Sequence, residues 1–275
     1  AFDQDMTLRI ATELYLKRAV VGGIDRVFEI GRTFRNEGVD STHIPEFTTL
    51  ESYEAYADQF VMAQRMLEMI LNVAAVLGSR VIETEKGTID LNGEWRWLGV
   101  YPGLSEAVGV EITPGTSGHV LREIAARHGV KVGPQWDTQK TVIEPFGEIV
   151  EPTLLQPTFA YDYPPAAQPL ARAHRDQPGL IEAWDLIIGG MERGTAFSEL
   201  IDPVIQPERL VEQPRKAAPG DHEAMQLDED FLRALEYGAP LMGVIGLGID
   251  RLVVLFTQAG IRETILFPLL KPELG

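Results

Sequence analysis

Two extended runs joined by a loop constrain this chain more than any other feature. Over residues 27–35 the side chains alternate, with Phe28, Ile30, Arg32 and Phe34 on one face and Val27, Glu29, Thr33 and Arg35 on the other, the period-two signature of a strand. A second run over residues 46–56 follows a loop that holds Gly38 and Pro45, so the two pair as a long-looped antiparallel hairpin. Phe47, Thr49, Glu51 and Tyr53 share one face of the second run, and Arg35 and Glu37 share one face of the first. An aromatic ring, a phenol and charges of both signs on one face are costly unless they bind something.

The remaining pattern predicts helices around a sheet. Residues 8–21 read as a helix closed by Gly22-Gly23. Asp58 caps a second, with Phe60, Leu67, Ile70, Leu71, Ala74 and Leu77 as its apolar stripe and Gly78 as its end. The signal weakens over residues 83–156, where 117–128 reads as helix and 141–150 as a helix kinked or split by Pro145. Strands are expected at 156–163, and at 184–188 and 191–200 around a Gly189-Gly190 turn. A helix at 228–238, a strand at 241–248, a helix at 250–257 and a last strand at 264–267 follow. Hairpins outnumber crossovers, which predicts an α+β fold with a mostly antiparallel sheet flanked by helices.

Composition narrows the chemistry. The absence of cysteine removes disulfides, thiolate metal sites and thiol nucleophiles. A net charge of −17 argues against broad attraction to nucleic acid, so any such contact is local or belongs to another domain. The apolar stretch 241–256 is interrupted by Asp250 and Arg251 and is too short to span a bilayer. Gly246-x-Gly248 is no dinucleotide fingerprint, because Arg251 stands where the third glycine belongs.

Three constellations remain. Arg35 and Arg251 carry fixed, forked charges suited to phosphate or carboxylate, although a strand arginine paired with Glu37 is the plain alternative for the first. Thr195, Phe197 and Glu199 lie two apart and share a strand face. Asp185 and Glu192 flank the glycine turn; with a two-residue loop Ile187 opposes Glu192 and Asp185 sits diagonally, within reach of a shared divalent ion. Two surface carboxylates on an acidic protein are the competing explanation. Strict alternation puts Glu192 on the face opposite 195, 197 and 199. Both assignments therefore require a β-bulge within 193–195, for which Gly194 is the residue best able to adopt unusual angles, leaving Glu192 and Glu199 in one cleft with Arg35 and Arg251.

Arg32-Thr33-Phe34-Arg35-Asn36-Glu37-Gly38 followed by His43-Ile44-Pro45-Glu46-Phe47, together with Gly246-Leu247-Gly248-Ile249-Asp250-Arg251, resembles motifs 2 and 3 of class II aminoacyl-tRNA synthetases. Glu13-Leu14-Tyr15-Leu16-Lys17-Arg18, Gln156-Pro157-Thr158-Phe159 and Phe197-Ser198-Glu199-Leu200 extend the likeness to the lysyl-tRNA synthetase catalytic domain. The resemblance implies ATP held by Arg35, Glu37, His43, Phe47, Gly248 and Arg251, with Arg35 on the α-phosphate and Arg251 at the γ-phosphate and over adenine. It implies lysine held by Glu13, Glu51, Tyr53, Thr195, Phe197 and Glu199, and Mg²⁺ by Asp185 and Glu192. The implied reaction forms lysyl-adenylate and transfers lysine to the acceptor end of tRNA(Lys), in the cytoplasm, by a protein that is a homodimer when full length and makes no membrane contact through this segment.

Two positions depart from the family pattern. Asparagine is commonest where this chain has Ile44 and Thr195; threonine at the second also occurs in the branch found in bifunctional lysylphosphatidylglycerol-synthesis proteins. The resemblance further implies that residues 1–275 form a partial catalytic domain, without motif 1 or an anticodon-binding domain, and with a small helical insertion at about 103–150. A paralogue charging a protein or small molecule, and a catalytically silent binding module, are the alternatives.

Overall fold

The computed structural model describes residues 6–36, 44–209 and 228–268. Glu37, Gly38 and His43 lie outside the described residues, as does most of the polar stretch before the helix at 228. The strands are β1 (Arg26–Phe34), β2 (Glu46–Ala55), β3 (Val81–Thr84), β4 (Gly87–Asp90), β5 (Arg96–Gly99), β6 (Thr158–Tyr161), β7 (Ala183–Ile187), β8 (Glu192–Ser198) and β9 (Met242–Gly248). The helices are α1 (Glu13–Val21), α2 (Gln59–Leu77), α3 (Val100–Val108), α4 (Gly118–Arg127), α5 (Lys140–Pro145), α6 (Glu229–Glu236) and α7 (Ile249–Thr257). Seven strands form one sheet in the order β1-β2-β9-β8-β7-β6-β5, antiparallel except for β5 and β6. β3 and β4 form a separate hairpin. The fold is α+β, as the hairpin-rich pattern predicts.

Each face of the sheet carries its own core. On one side Leu16 and Val20 of α1, Leu104 of α3 and Phe146 pack against Tyr53, Phe197 and Val244. On the other, Met62, Met66, Ile70 and Ala74 of α2 and Leu252 and Leu255 of α7 pack against Ile245, Leu247 and Ala196. The close approach of α2 depends on two glycines beneath it. A β-carbon at Gly243 would lie 2.4 Å from Met62 Cγ, and one at Gly194 2.7 Å from Met66 Cε, inside any permissible contact.

Several expected elements are corrected. α1 begins at Glu13 because the preceding segment runs beside β1, where Phe34 N–H donates to Arg9 O (2.9 Å) and Arg9 Nε donates to Arg32 O (2.8 Å). The buried stripe of α2 is Met62, Met66, Ile70 and Ala74, while Phe60 and Leu77 are exposed. Its cap is as expected: the Asp58 carboxylate accepts from Phe60 and Val61 N–H, and Gly78 closes the helix at φ 85°. As expected, the helix is split at Pro145, where α5 ends and a π turn, Phe146–Val150, continues the chain. In place of the strand at 264–267 there is a 3-10 turn, Ile261–Thr264, whose Thr264 hydroxyl donates to Asp250 Oδ1 (2.8 Å).

Candidate active site

Strand parity places the site. The pairing puts Glu51 opposite Gly246, Gly246 opposite Thr195, and Thr195 opposite Asp185, so one row crosses four strands. The next row runs through Tyr53, Val244 and Phe197. Between Glu51 and Thr195 the glycine leaves a trough: a β-carbon at Gly246 would meet Thr195 Cγ2 at 3.6 Å. Above these rows lies a cavity of about 640 Å³ lined by Glu13, Arg35, Phe47, Thr49, Glu51, Tyr53, Asp185, Glu192, Thr195, Phe197, Gly248 and Arg251. That volume suits a small-molecule ligand, for which clefts span about 300–1,000 Å³.

The bulge expected from the parity conflict is present. Leu186 pairs with Gly194 and Ile187 with Glu192, so Arg193 is the extra residue of β8. The phase change brings Glu192 to the cavity that Thr195 and Phe197 also line. Gly194 does not take a left-handed conformation; its requirement is steric, since a β-carbon would also lie 2.6 Å from Gly246 O. Arg193 anchors the bulge from within. Its buried guanidinium donates to Ile188 O and to Arg251 O (2.8 Å), and burial together with the Arg251 charge pulls it down to about 10. In return Arg251 Nη1 lies 3.2 Å from both Glu192 O and Glu192 Oε2, which clasps α7 to β8.

On the wall formed by β2 and the end of β1 the Arg35 guanidinium stands 5.3 Å over the Phe47 ring, a cation–π contact. Arg35 Nε also donates to Ile10 O (3.3 Å). Asp250 ties the two walls together, accepting from Thr48 N–H and from Thr264 Oγ1. Glu37 and His43, expected on the nucleotide, lie outside the described residues.

The acidic pair meets in the same cavity, joined by Glu151, which the pattern of a weakly periodic segment did not mark. Burial and the Glu192 charge push Asp185 up to about 8 and Glu151 to about 7. Oxygen donors carrying more negative charge than they can hold alone fit a hard divalent ion. Among the described residues no three such side chains converge into a full ligand set, so other oxygen donors would have to complete the coordination of any ion held there.

The floor is the most buried part. The Tyr53 hydroxyl donates to Glu51 Oε2 (2.8 Å), and Thr12 N–H donates to Glu51 Oε1 (3.3 Å). Burial and the Glu13 charge raise Glu51 and lift Tyr53 well above its ordinary value. Glu199 does not line the cavity; it lies fully buried behind the wall, with Oε2 2.7 Å from the Nζ of Lys17. The expectation that Glu192 and Glu199 open into one cleft therefore holds for Glu192 alone. Lys17, whose Nζ also lies 2.6 Å from Glu13, was missed because a helical lysine ordinarily reads as solvated.

Over residues 2–271 the sequence matches the family described as tRNA synthetases class II (D, K and N). It is 50% identical over 276 residues to a lysine–tRNA ligase of Kineococcus radiotolerans, a match covering 99% of this chain and 55% of that protein. It is 49% identical over 279 residues to the lysylphosphatidylglycerol biosynthesis bifunctional protein LysX of Nocardia farcinica, covering 99% and 25%. The corresponding protein of Mycobacterium avium is 47% identical over 278 residues, covering 99% and 24%. The chain thus spans between about a quarter and about half the length of these relatives. With a family match over nearly its whole length and a mostly antiparallel sheet beneath a cavity that Arg35 and Arg251 both line, the chain belongs to the class II tRNA synthetases of the D, K and N group.

Proposed function

We propose that this domain activates lysine with ATP and passes it to tRNA(Lys). A lysine carboxylate oxygen attacks the α-phosphorus, the bond to pyrophosphate breaks, and lysyl-adenylate forms. The 3′-terminal hydroxyl of tRNA then attacks the adenylate carbonyl carbon, and AMP leaves. The observation that carries this reading is the cavity floor, where three carboxyl groups, those of Glu13, Glu51 and the more deeply buried Glu199, stand with the Tyr53 hydroxyl beside one buried ammonium, that of Lys17. Such a floor suits ammonium groups, since a buried cation needs a charged partner.

The chain's own contribution is position and charge. Arg35 brings two mutually repelling anions together, the carboxylate and the α-phosphate. Arg251 holds the far phosphates and covers the adenine that Phe47 supports; each gives up its present partner, Glu192 or the Phe47 face, to the nucleotide. Asp185 and Glu192 would hold Mg²⁺, which when bound neutralises phosphate oxygens. No covalent enzyme intermediate is needed.

Exchange of labelled pyrophosphate into ATP, measured with single amino acids, tests the activation step. Lysine is expected to drive exchange, and a folded protein showing none with lysine would contradict the reading. Charging of tRNA(Lys) separates it from a second reading, favoured by relatives named for lysylphosphatidylglycerol biosynthesis, in which activated lysine passes to an acceptor other than tRNA.

A further inference from the structure

Lys17 has no part in the reaction above, yet it is a fully buried charge beside the proposed lysine pocket. Its side chain has no solvent exposure, and its Nζ bridges Glu13 Oε1 (2.6 Å) and Glu199 Oε2 (2.7 Å). The rings of Phe197 and Phe231 sit 5.4 and 6.0 Å from the same nitrogen. A position serving only packing takes an apolar side chain, as Leu16 and Val20 do on the same face of α1. An ammonium there is strongly unfavourable unless its partners require it.

Those partners are the groups through which substrate specificity was argued. Glu13 and Glu51 line the cavity, Tyr53 bonds Glu51, and Glu199 stands behind. We infer that Lys17 is a positioning residue for the amino-acid substrate: its ammonium fixes the Glu13 and Glu199 carboxyl groups and, when Glu13, Glu51 and Glu199 are all ionised, offsets one of the three charges, leaving two to match the two ammonium groups of a diamino acid. This inference rests on the lysine-activation reading.

The charged and titratable groups facing Glu199 are Lys17 and Glu13 from α1 and Tyr53 from β2, while α6 brings the Phe231 ring against Lys17. Burial pushes Glu199 up to about 8; the Lys17 ammonium pulls it down and Glu13 pushes it up. Burial works against the charge on Lys17 too, but Glu13 and Glu199 hold it above the ordinary lysine value. Without Lys17 the Glu199 proton is held more tightly, and the carboxyl ionises only at higher pH.

The test is pyrophosphate exchange by the full-length protein, reading KM for lysine and for ATP from about pH 6.5 to 9 in wild type, Lys17→Met and Lys17→Arg. Lys17→Met is expected to raise KM for lysine about tenfold or more near pH 7 with little change for ATP, a deficit that narrows as pH rises. Lys17→Arg, which keeps the charge, should restore most of the affinity. Equal rises for lysine and ATP, or a deficit independent of pH, would overturn the inference. Should Lys17→Met fail to fold, Lys17→Met/Glu199→Gln removes both members of the buried pair. That double variant should bind lysine several-fold more tightly than Glu199→Gln alone, whose pocket retains one negative charge fewer; equal or weaker binding overturns the inference. A wild-type protein without lysine-dependent exchange would fail at the underlying reading instead, whereas an active wild type with an insensitive Lys17→Met sinks only the role of Lys17.

Discussion

The two ends of the cavity differ in how complete they are before any ligand arrives. At the amino-acid end Glu51, Tyr53 and Glu199 are buried and engaged, by the Tyr53 hydroxyl bond, the Thr12 N–H and the Lys17 ammonium. At the nucleotide end Arg251 and Glu192 keep 24% and 40% of their side-chain surface exposed and neutralise each other, while Arg35 rests on Phe47. The first end meets its desolvation cost during folding; the second holds its charges in partly exposed contacts, which the phosphates of the proposed reaction would replace. Under the proposed function, the amino acid is selected by groups already buried and paired, and the nucleotide is met by groups that re-pair on binding.

If that contrast is right, the largest loss follows from the buried end. Glu199→Gln removes a carboxylate from a buried pair, a change worth about 3–5 kcal/mol, or about 10²–10⁴-fold in kcat/KM for lysine. KM for ATP should move far less, and equal losses for the two substrates would erase the distinction between the ends.

Arg251→Ala should cost about 1.5–3 kcal/mol of ATP binding, the ordinary worth of a charged hydrogen bond. Its pair with Glu192 is partly exposed, so thermal unfolding should shift little. A variant that mainly unfolds would make Arg251 structural.

Two glycines of the sheet sharpen the comparison at smaller scale. Gly194→Ala drives a methyl into Gly246 O and Met66 Cε and should cost about 1–3 kcal/mol of stability, read by denaturant unfolding. Gly246→Ala meets Thr195 Cγ2 at an ordinary 3.6 Å, so it should leave stability nearly unchanged while narrowing the trough and weakening exchange.

The smallest effect is in pH. The folded value of Glu199, about 8, lies above its unfolded one, so its contribution to stability is complete below about pH 4.5 and is lost as pH rises towards 8. The unliganded protein should lose stability through that window, and saturating lysine should offset the loss. Differential scanning calorimetry at several pH values checks this, with equal slopes in the presence and absence of lysine as the contrary outcome.

The sheet was legible because alternation survives in β1 and β2, whose register runs unbroken from Arg26↔Glu54 to Phe34↔Glu46. The stripe of α2 was not, because apolar residues surround that helix and periodicity alone cannot choose among its faces; the glycines of neighbouring strands make the choice. β3, β4 and β5 have four residues each, too few for a period to register. At the site, parity foretold the bulge but assigned Gly194 a conformational part where its part is spatial. Lys17 was signalled only by its spacing of four from Glu13, between the apolar Leu16 and Val20. Glu151 comes from a short turn after a π segment, where no pattern points inward.

Pyrophosphate exchange with lysine and with norleucine, which has the same six-carbon chain and lacks the ε-ammonium, tests the central claim most directly. A preformed acidic pocket predicts exchange with lysine and a kcat/KM for norleucine lower by about 10²-fold or more, at an unchanged KM for ATP, since a site built for a charged group rejects the analogue without it. Comparable exchange with both amino acids would contradict the account.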